Sequence, residues 1–379
     1  MDLICFSHLR WNFVYQRPQH LLSRFSKTYR IFYIEEPIYQ DEQTSHFEVS
    51  LIANNIWIVV PHLHYNLSEE EKITSQQHHL SQLLEDYKIV NYIFWYYTPM
   101  ALSISNHLNP EFIVYDCMDE LSAFNFAPPS LKKLENNLFQ KADIVFTGGH
   151  SLFNAKKSSH NNIFPFPSSI DKKHFLKARN NTVAPPDQAV ISGPRFGFYG
   201  VIDERFDLEL LRIVAERRHE WSFIIIGPVV KINENSLPRL NNIHYLGGKT
   251  YDELPEYLGD WDIAIIPFLL NESTKYISPT KTPEYLAAGK PVISSSITDV
   301  VNPYAINNLV HIADNADEFI KVADKELDKT NKEDWLKSVD NFLADISWDK
   351  TWLEMVHLIE KTMKEKKSLF TPLNEEEYV

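Results

Sequence analysis

Glycine is scarce, ten residues in 379. No G-x-G-x-x-G follows any candidate strand, which argues against a nicotinamide dehydrogenase with a phosphate-cradling glycine turn. Cysteine is scarcer still. Cys5 and Cys117 both sit in apolar runs, with no second Cys or His at metal-ligand spacing. They read as buried thiols of a reducing compartment, not as a disulfide framework or a zinc site. No segment approaches the ~18 consecutive apolar residues of a membrane-spanning helix. The first residues, MDLICFSHLRW, lack the basic start and long apolar stretch of a signal peptide. The expectation is a cytoplasmic protein. A basic excess is missing too: the formal net charge is −14, which argues against bulk nucleic-acid binding. A local basic patch for anionic lipid or phosphate remains compatible with that charge.

What is present is ordinary for a globular chain: 44% hydrophobic and 23% charged residues over a length that suggests two domains. Short apolar runs alternate with helix-like stretches. Leu3–Phe6, Arg30–Ile34, Ile56–Val60, Tyr92–Tyr96, Phe112–Tyr115 and Ile144–Thr147 read as strands, with a helix over Arg17–Tyr29. The pattern restarts at Phe196–Tyr199 and continues with strands over Phe223–Ile226, Ile243–Leu246, Ile263–Pro267 and Pro291–Ser294. Helices are expected over Asp207–Arg218, Tyr251–Leu258 and Pro283–Ala288, the last ended by Gly289. Such alternation implies parallel strands with right-handed crossovers. Loop signals at Asn180-Asn181, Pro185-Pro186 and Ser192-Gly193-Pro194 place a hinge between Lys172 and Pro194. Trp348, Trp352, Leu353 and Met355 mark a late helix, and the tail after Lys364 reads as frayed. No internal repeat or low-complexity tract is visible.

Open parallel sheets bind ligands beyond the carboxyl ends of their strands, so the residues after each strand are the first candidates. The most specific stretch runs Ser278-Pro279-Thr280-Lys281-Thr282-Pro283-Glu284-Tyr285-Leu286-Ala287-Ala288-Gly289-Lys290-Pro291-Val292-Ile293. A Thr-Lys loop leads into a helix opened by Pro283. Amides at such a helix start can hold a pyrophosphate, and Lys281 can neutralise it. Glu284, read as an exposed acid one turn inside, either accepts hydrogen bonds from ribose hydroxyls or simply favours the helix dipole. In the first half, Asp116-Cys117-Met118-Asp119-Glu120 places three carboxylates after a strand. Asp116 or Asp119 can steady a cationic centre or orient a hydroxyl, and either can instead cap a helix. Gly148 and Gly149 permit close approach, and His150 either contacts a ligand or merely opens a helix beside Ser151. Trp11 can stack on a sugar or base; His8, Arg10 and Arg17 can meet an acceptor or phosphate.

The Ser278–Ile293 string is similar to the donor-binding motif of retaining GT-B glycosyltransferases, especially glycosyltransferase family four, whose common form is a Glu, seven residues and a second Glu. Glu284 matches the second Glu, which in that family holds the donor ribose. Thr280 and Lys281, after Pro279, fall where backbone amides meet the diphosphate, and Gly289, Pro291 and Val292 match the motif's end. The first Glu, which commonly touches the transferred sugar, is replaced by Tyr276. Trp221–Pro228, Asn242–Gly247 and Asp262–Pro267 resemble the family's strands before the donor loop. Phe198-Tyr199-Gly200 resembles the strand that opens the second domain. The family grips phosphates with an Arg and a Lys after that glycine; here Arg205 is the nearby candidate. Phe6–Trp11 and Tyr15–His20 resemble a less common subgroup.

The resemblance implies an α/β GT-B protein with two Rossmann-like domains about a cleft. The acceptor domain would span about 1–175 and the donor domain about 190–345, with a helix over about 346–365 crossing back. Donor contacts would come from Gly200, Arg205, Tyr276, Pro279, Thr280, Lys281 and Glu284. Acceptor contacts would come from Arg10, Trp11, Arg17 and His150. Asp116, Asp119 and His8 are the catalytic candidates. The implied reaction is retaining transfer from a nucleoside diphosphate sugar, needing no metal or cofactor. The acceptor would be a glycan or lipid-linked molecule of cell-surface polysaccharide assembly, with peripheral membrane contact compatible. Two alternatives stay open: a non-hydrolysing nucleotide-sugar epimerase, and a catalytically silent sugar-nucleotide-binding subunit.

Overall fold

The computed structural model describes residues 1–41, 44–125, 127–180 and 183–370. Two sheets organise it. The first contains β1 (Asp2–Phe6), β2 (Arg30–Ile34), β3 (Ile38–Gln40), β4 (His46–Ala53), β5 (Ile56–His64), β6 (Tyr92–Tyr96), β7 (Phe112–Cys117), β8 (Ile144–Thr147) and β9 (Ile163–Pro165). Their order is β3-β5-β2-β1-β6-β7-β8-β9, with β4 antiparallel on β5 and the other pairings parallel. The second contains β10 (Arg195–Tyr199), β11 (Ser222–Ile226), β12 (Ile243–Gly247), β13 (Ile263–Ile266), β14 (Val292–Ser294) and β15 (His311–Ile312). Its order, β12-β11-β10-β13-β14-β15, is that of the dinucleotide-binding fold.

The central strands are buried along their whole length because helices cover both faces of each sheet there: every residue of β1, β6, β8, β11 and β13 is buried. In each sheet the connections reverse direction at one point, between β1 and β6 and between β10 and β13. Crevices open beyond the strand ends at those points. The two crevices face one another.

The stretch expected as a linker, from Lys172 to Pro194, is not one. Helices Lys172–Asn180 and Pro186–Ala189 lie there, and Phe175, Ala178 and Ile191 pack into the second sheet's core. Loop-forming residues mark the ends of these short helices; Asn181 lies outside the described residues. The chain passes between the sheets at Phe166–Ile170 and returns near Leu343–Trp348, where the Trp348 amide donates to Ile170 O at 3.2 Å. The final helix, Trp348–Phe370, lays Trp348, Met355 and Ile359 into the core beneath the first sheet. It is tied there by Arg24–Asp349 at 2.8 Å and Lys366–Asp143 at 2.8 Å. The helix continues through Lys364, where fraying was expected, because these ties hold its later turns. Residues beyond Phe370 lie outside the described part.

Candidate functional site: a cleft between the two sheets

A cavity of about 660 Å³ lies between the crevices. Its second-domain wall is built on close backbone packing. Gly200, directly after β10, has φ +136°, and a Cβ there would stand 2.4 Å from Lys281 Cε and 2.6 Å from Nζ. Glycine at 200 therefore serves both the backbone turn and the path of the lysine side chain. Lys281 opens helix Lys281–Ala287, its ammonium 5.3 Å from the Phe198 ring centre and 5.7 Å from that of Phe268. Burial, then the neighbouring Arg205 charge, pulls its pKa down. No carboxylate lies within ion-pair distance of it among the described residues. Arg205 is held by Asp203 through Nε–Oδ1 at 3.0 Å and Nη2–Oδ2 at 2.7 Å, with its guanidinium 5.3 Å from Phe124 and 5.9 Å from Phe268. Two cations thus meet beyond the ends of β10 and β13. Pro279 and Thr280 line the cavity beside them.

Glu284 corrects an expectation. It is 4% exposed, not a surface acid, because helix Lys281–Ala287 is packed between the sheet and the cleft. Its Oε2 accepts a short hydrogen bond from the Tyr199 hydroxyl. Burial pushes its pKa up, against the pull of Tyr199 and Lys281.

The first-domain wall is formed by Trp11–Arg17, Met118, Asp119, Gly148 and Ser168. Trp11 is set by its amide, which donates to Glu35 Oε1 at 2.8 Å, and its ring stands edge-on to Tyr33 at 5.1 Å. Asp119 is partly buried, and burial pushes its pKa up to about 6 despite the Arg205 charge across the cleft. It is the first-domain carboxylate that faces the two cations.

Four expectations about this wall are overturned by contacts distant in sequence. Asp116 is fully buried and does not line the cavity; Arg17 takes both its oxygens, Nε–Oδ2 at 3.0 Å and Nη2–Oδ1 at 2.8 Å. Arg17 reaches the cavity wall, yet its remaining Nη1 donates to Phe166 O at 2.8 Å. It is a brace between β7 and the interdomain passage, with each of its three nitrogens engaged there. Arg10 pairs with Glu35 at 2.9 Å and lies off the cavity. His150 is exposed at the start of helix His150–Lys156 and lines a separate cavity of about 340 Å³ behind the Ser168–Ser278 contact.

His8 and Tyr276 are likewise absent from the cavity lining. Burial, then the Lys231 charge, pushes the His8 pKa down to about 4, so the imidazole is neutral near pH 7. Tyr276 packs on the core around β1 and β6, across the domain junction. An aromatic ring there is satisfied by apolar contact where a carboxylate would need polar partners.

Other residues that shape the cleft and its rim are not among the donor, acceptor or catalytic candidates. Tyr15 stacks on Tyr251 at 4.6 Å, which stacks on His174 at 4.3 Å, joining the two walls at the cleft's edge. The Asn125 amide donates across to Glu204 Oε1 at 2.8 Å. Tyr199, Asp203 and Phe268 stand at or just after strand ends, the place where a search by topology finds them.

Residues 194–328 match the family described as Glycosyl transferases group 1. The chain is 23% identical to TuaH of Bacillus subtilis (strain 168), named as a teichuronic acid biosynthesis glycosyltransferase, over 277 residues spanning 67% of this chain and 68% of that protein. Among solved structures it is similar to sucrose-phosphate synthase of Thermosynechococcus elongatus (TM-score 0.69, 13% identity, 96% of this chain and 99% of that one). It is also similar to an α,α-trehalose-phosphate synthase of Burkholderia xenovorans (TM-score 0.70, 10% identity, 96% and 100%). A third is HepE of Anabaena in complex with UDP (TM-score 0.64, 12% identity, 95% and 100%). Two doubly wound sheets facing across a cleft give the chain the GT-B fold, and the segment that matches glycosyl transferases group 1, residues 194–328, forms the second of them.

Proposed function

We propose that this glycosyltransferase takes a sugar from a nucleoside diphosphate donor and passes it to a glycan or lipid-linked acceptor in cell-surface polysaccharide assembly. The observation that carries the donor reading is the convergence of Lys281 and Arg205 beyond β10 and β13, with Glu284 one turn deeper. Two cations in a partly dry crevice suit a diphosphate, and a carboxylate beyond them suits a ribose. Gly200, Pro279 and Thr280 would border the phosphates. The solved relative holding UDP supports the same reading, and TuaH's name supports the pathway.

Asp119 would face the reacting sugar from the first domain and steady positive charge at its anomeric carbon; Trp11 would border the acceptor. Lys281 and Arg205 would supply the charge that stabilises the departing diphosphate, which supports a reaction without a bound metal or cofactor. Retention of configuration is proposed on the motif's resemblance. No described helix is long and apolar enough to cross a membrane. Phe13 and Tyr15, both over 40% exposed on the acceptor side, would suit peripheral contact with a lipid-borne acceptor.

Calorimetry with UDP, ADP and GDP, followed by nucleotide release from the matching sugar nucleotides, tests this. Nucleoside diphosphate released only when a glycan acceptor is added supports transfer. Epimerised nucleotide sugar formed without any acceptor, or binding without any release, would overturn it.

A further inference from the structure

Tyr199 is the last residue of β10, and its side chain has no freedom. Its ring stands edge-on to Tyr285 at 4.9 Å and lies 6.2 Å from Trp261 and 6.4 Å from Phe175. Its amide donates to the Tyr285 hydroxyl at 3.0 Å. The residue is 6% exposed, and its own hydroxyl donates to Glu284 Oε2. Strand and helix are thereby joined through one carboxylate oxygen, while Glu284 also borders the cleft.

We propose that Tyr199 is the positioning residue for Glu284, holding Oε2 so that Oε1 alone is presented to one hydroxyl of the donor ribose. This rests on the reading that Glu284 faces the ribose. A carboxylate with both oxygens free can accept from both hydroxyls of a vicinal diol; with one lone pair of Oε2 taken and that oxygen turned to Tyr199, Oε1 is the stronger acceptor and one hydroxyl is favoured over the other. Tyr199 also acts on the proton. Glu284 is faced by the Tyr199 hydroxyl from β10, by Lys281 on its own helix, by adjacent Tyr285 and by Tyr251 before helix Leu254–Gly259; Arg205, Asp203 and Asp119 act on it through Lys281. Burial favours the protonated acid, whereas the hydrogen bond from Tyr199 favours the carboxylate. Removing that hydroxyl lets Glu284 take up a proton at higher pH.

The test uses whichever of UDP, ADP and GDP binds tightest, with its 2′-deoxy and 3′-deoxy analogues, measured by calorimetry between about pH 6 and pH 9. On the wild-type protein, one deoxy analogue should bind about tenfold more weakly and the other nearly as well as the parent. Tyr199→Phe should weaken the parent nucleotide, move the pH midpoint of binding upward and blur the difference between the analogues, with melting temperature close to wild type. Glu284→Gln should abolish the difference and the pH dependence. Equal losses for both analogues, or a Tyr199→Phe protein with wild-type affinity and midpoint, would overturn the positioning role while leaving Glu284 at the ribose. A Glu284→Gln protein with unchanged affinity and unchanged discrimination would remove Glu284 from the ribose, and both readings would fall together. The analogue series on the wild-type protein requires no variant to fold.

Discussion

The two walls of the cleft are built in opposite ways. On the second-domain wall the key groups lie on one short segment, Pro279 to Glu284, plus Gly200 and Arg205 just after β10. Two short segments carry them, set side by side by the pairing of β10 with β13, and Arg205's partner Asp203 is two residues away. On the first-domain wall the charges are paired at long range. Arg17 and Asp116 are 99 positions apart, Arg17 and Phe166 149 apart, and Arg10 and Glu35 25 apart. Charges there that resemble site residues brace the domain, and the carboxyl left facing the cleft is the partly buried Asp119. A wall made of neighbours in sequence keeps its chemistry visible; a wall made by distant pairing hides which charges are already spent.

The comparison breaks most sharply at Arg17. Arg17→Met strips the fully buried Asp116 of its guanidinium partner, so that it must either take up a proton or stay charged in the core, and unfolding free energy should drop by about 3–5 kcal/mol. Chemical denaturation measures it. A loss below about 1 kcal/mol would mean that the pair is not structural.

Asp119 should behave oppositely. Asp119→Asn keeps shape and removes charge; turnover per folded molecule should fall about 100-fold, with melting temperature and nucleoside diphosphate affinity near wild type. With its pKa pushed up to about 6, wild-type turnover should fall as pH drops through that value, because the carboxylate is the active form. Unchanged turnover in the variant would return the question to His8.

On the second-domain wall, Lys281→Ala or Arg205→Ala should each weaken nucleoside diphosphate binding by about 1.5–3 kcal/mol while barely changing nucleoside binding. Equal losses for the two ligands would put the phosphates elsewhere.

The smallest effect concerns His8. A histidine whose pKa is lowered to about 4 in the folded state takes up protons more readily when unfolded. Its contribution is present above about pH 6.5 and is lost as pH falls toward 4. His8→Phe should flatten that part of the stability curve; an unaltered acid limb would show that His8 is solvated.

How much was legible follows from the same distinction. The alternation Leu3–Phe6, Arg30–Ile34, Tyr92–Tyr96 and its restart at Phe196–Tyr199 was readable because strands buried on both faces are continuous apolar runs. The edge strands β3 and β4 were not: their partly exposed residues carry no such run. Pro279, Thr280, Lys281 and Glu284 of the local string line the cleft, as does Arg205 from the loop after β10. Asp116 misled because a carboxylate after a strand looks the same whether it faces ligand or a buried guanidinium. Tyr199 was read as strand filler, since its role depends on where helix Lys281–Ala287 settles.

By itself the sequence determined the two largely parallel sheets and the helix start that follows Pro279 and Thr280, because hydrophobic periodicity and a helix start are properties of adjacent residues. Which charges would be free to act was decided only by the tertiary structure. Burial and pairing between residues far apart set whether a carboxylate such as Asp116 is neutralised inside or, like Asp119, left facing the cleft.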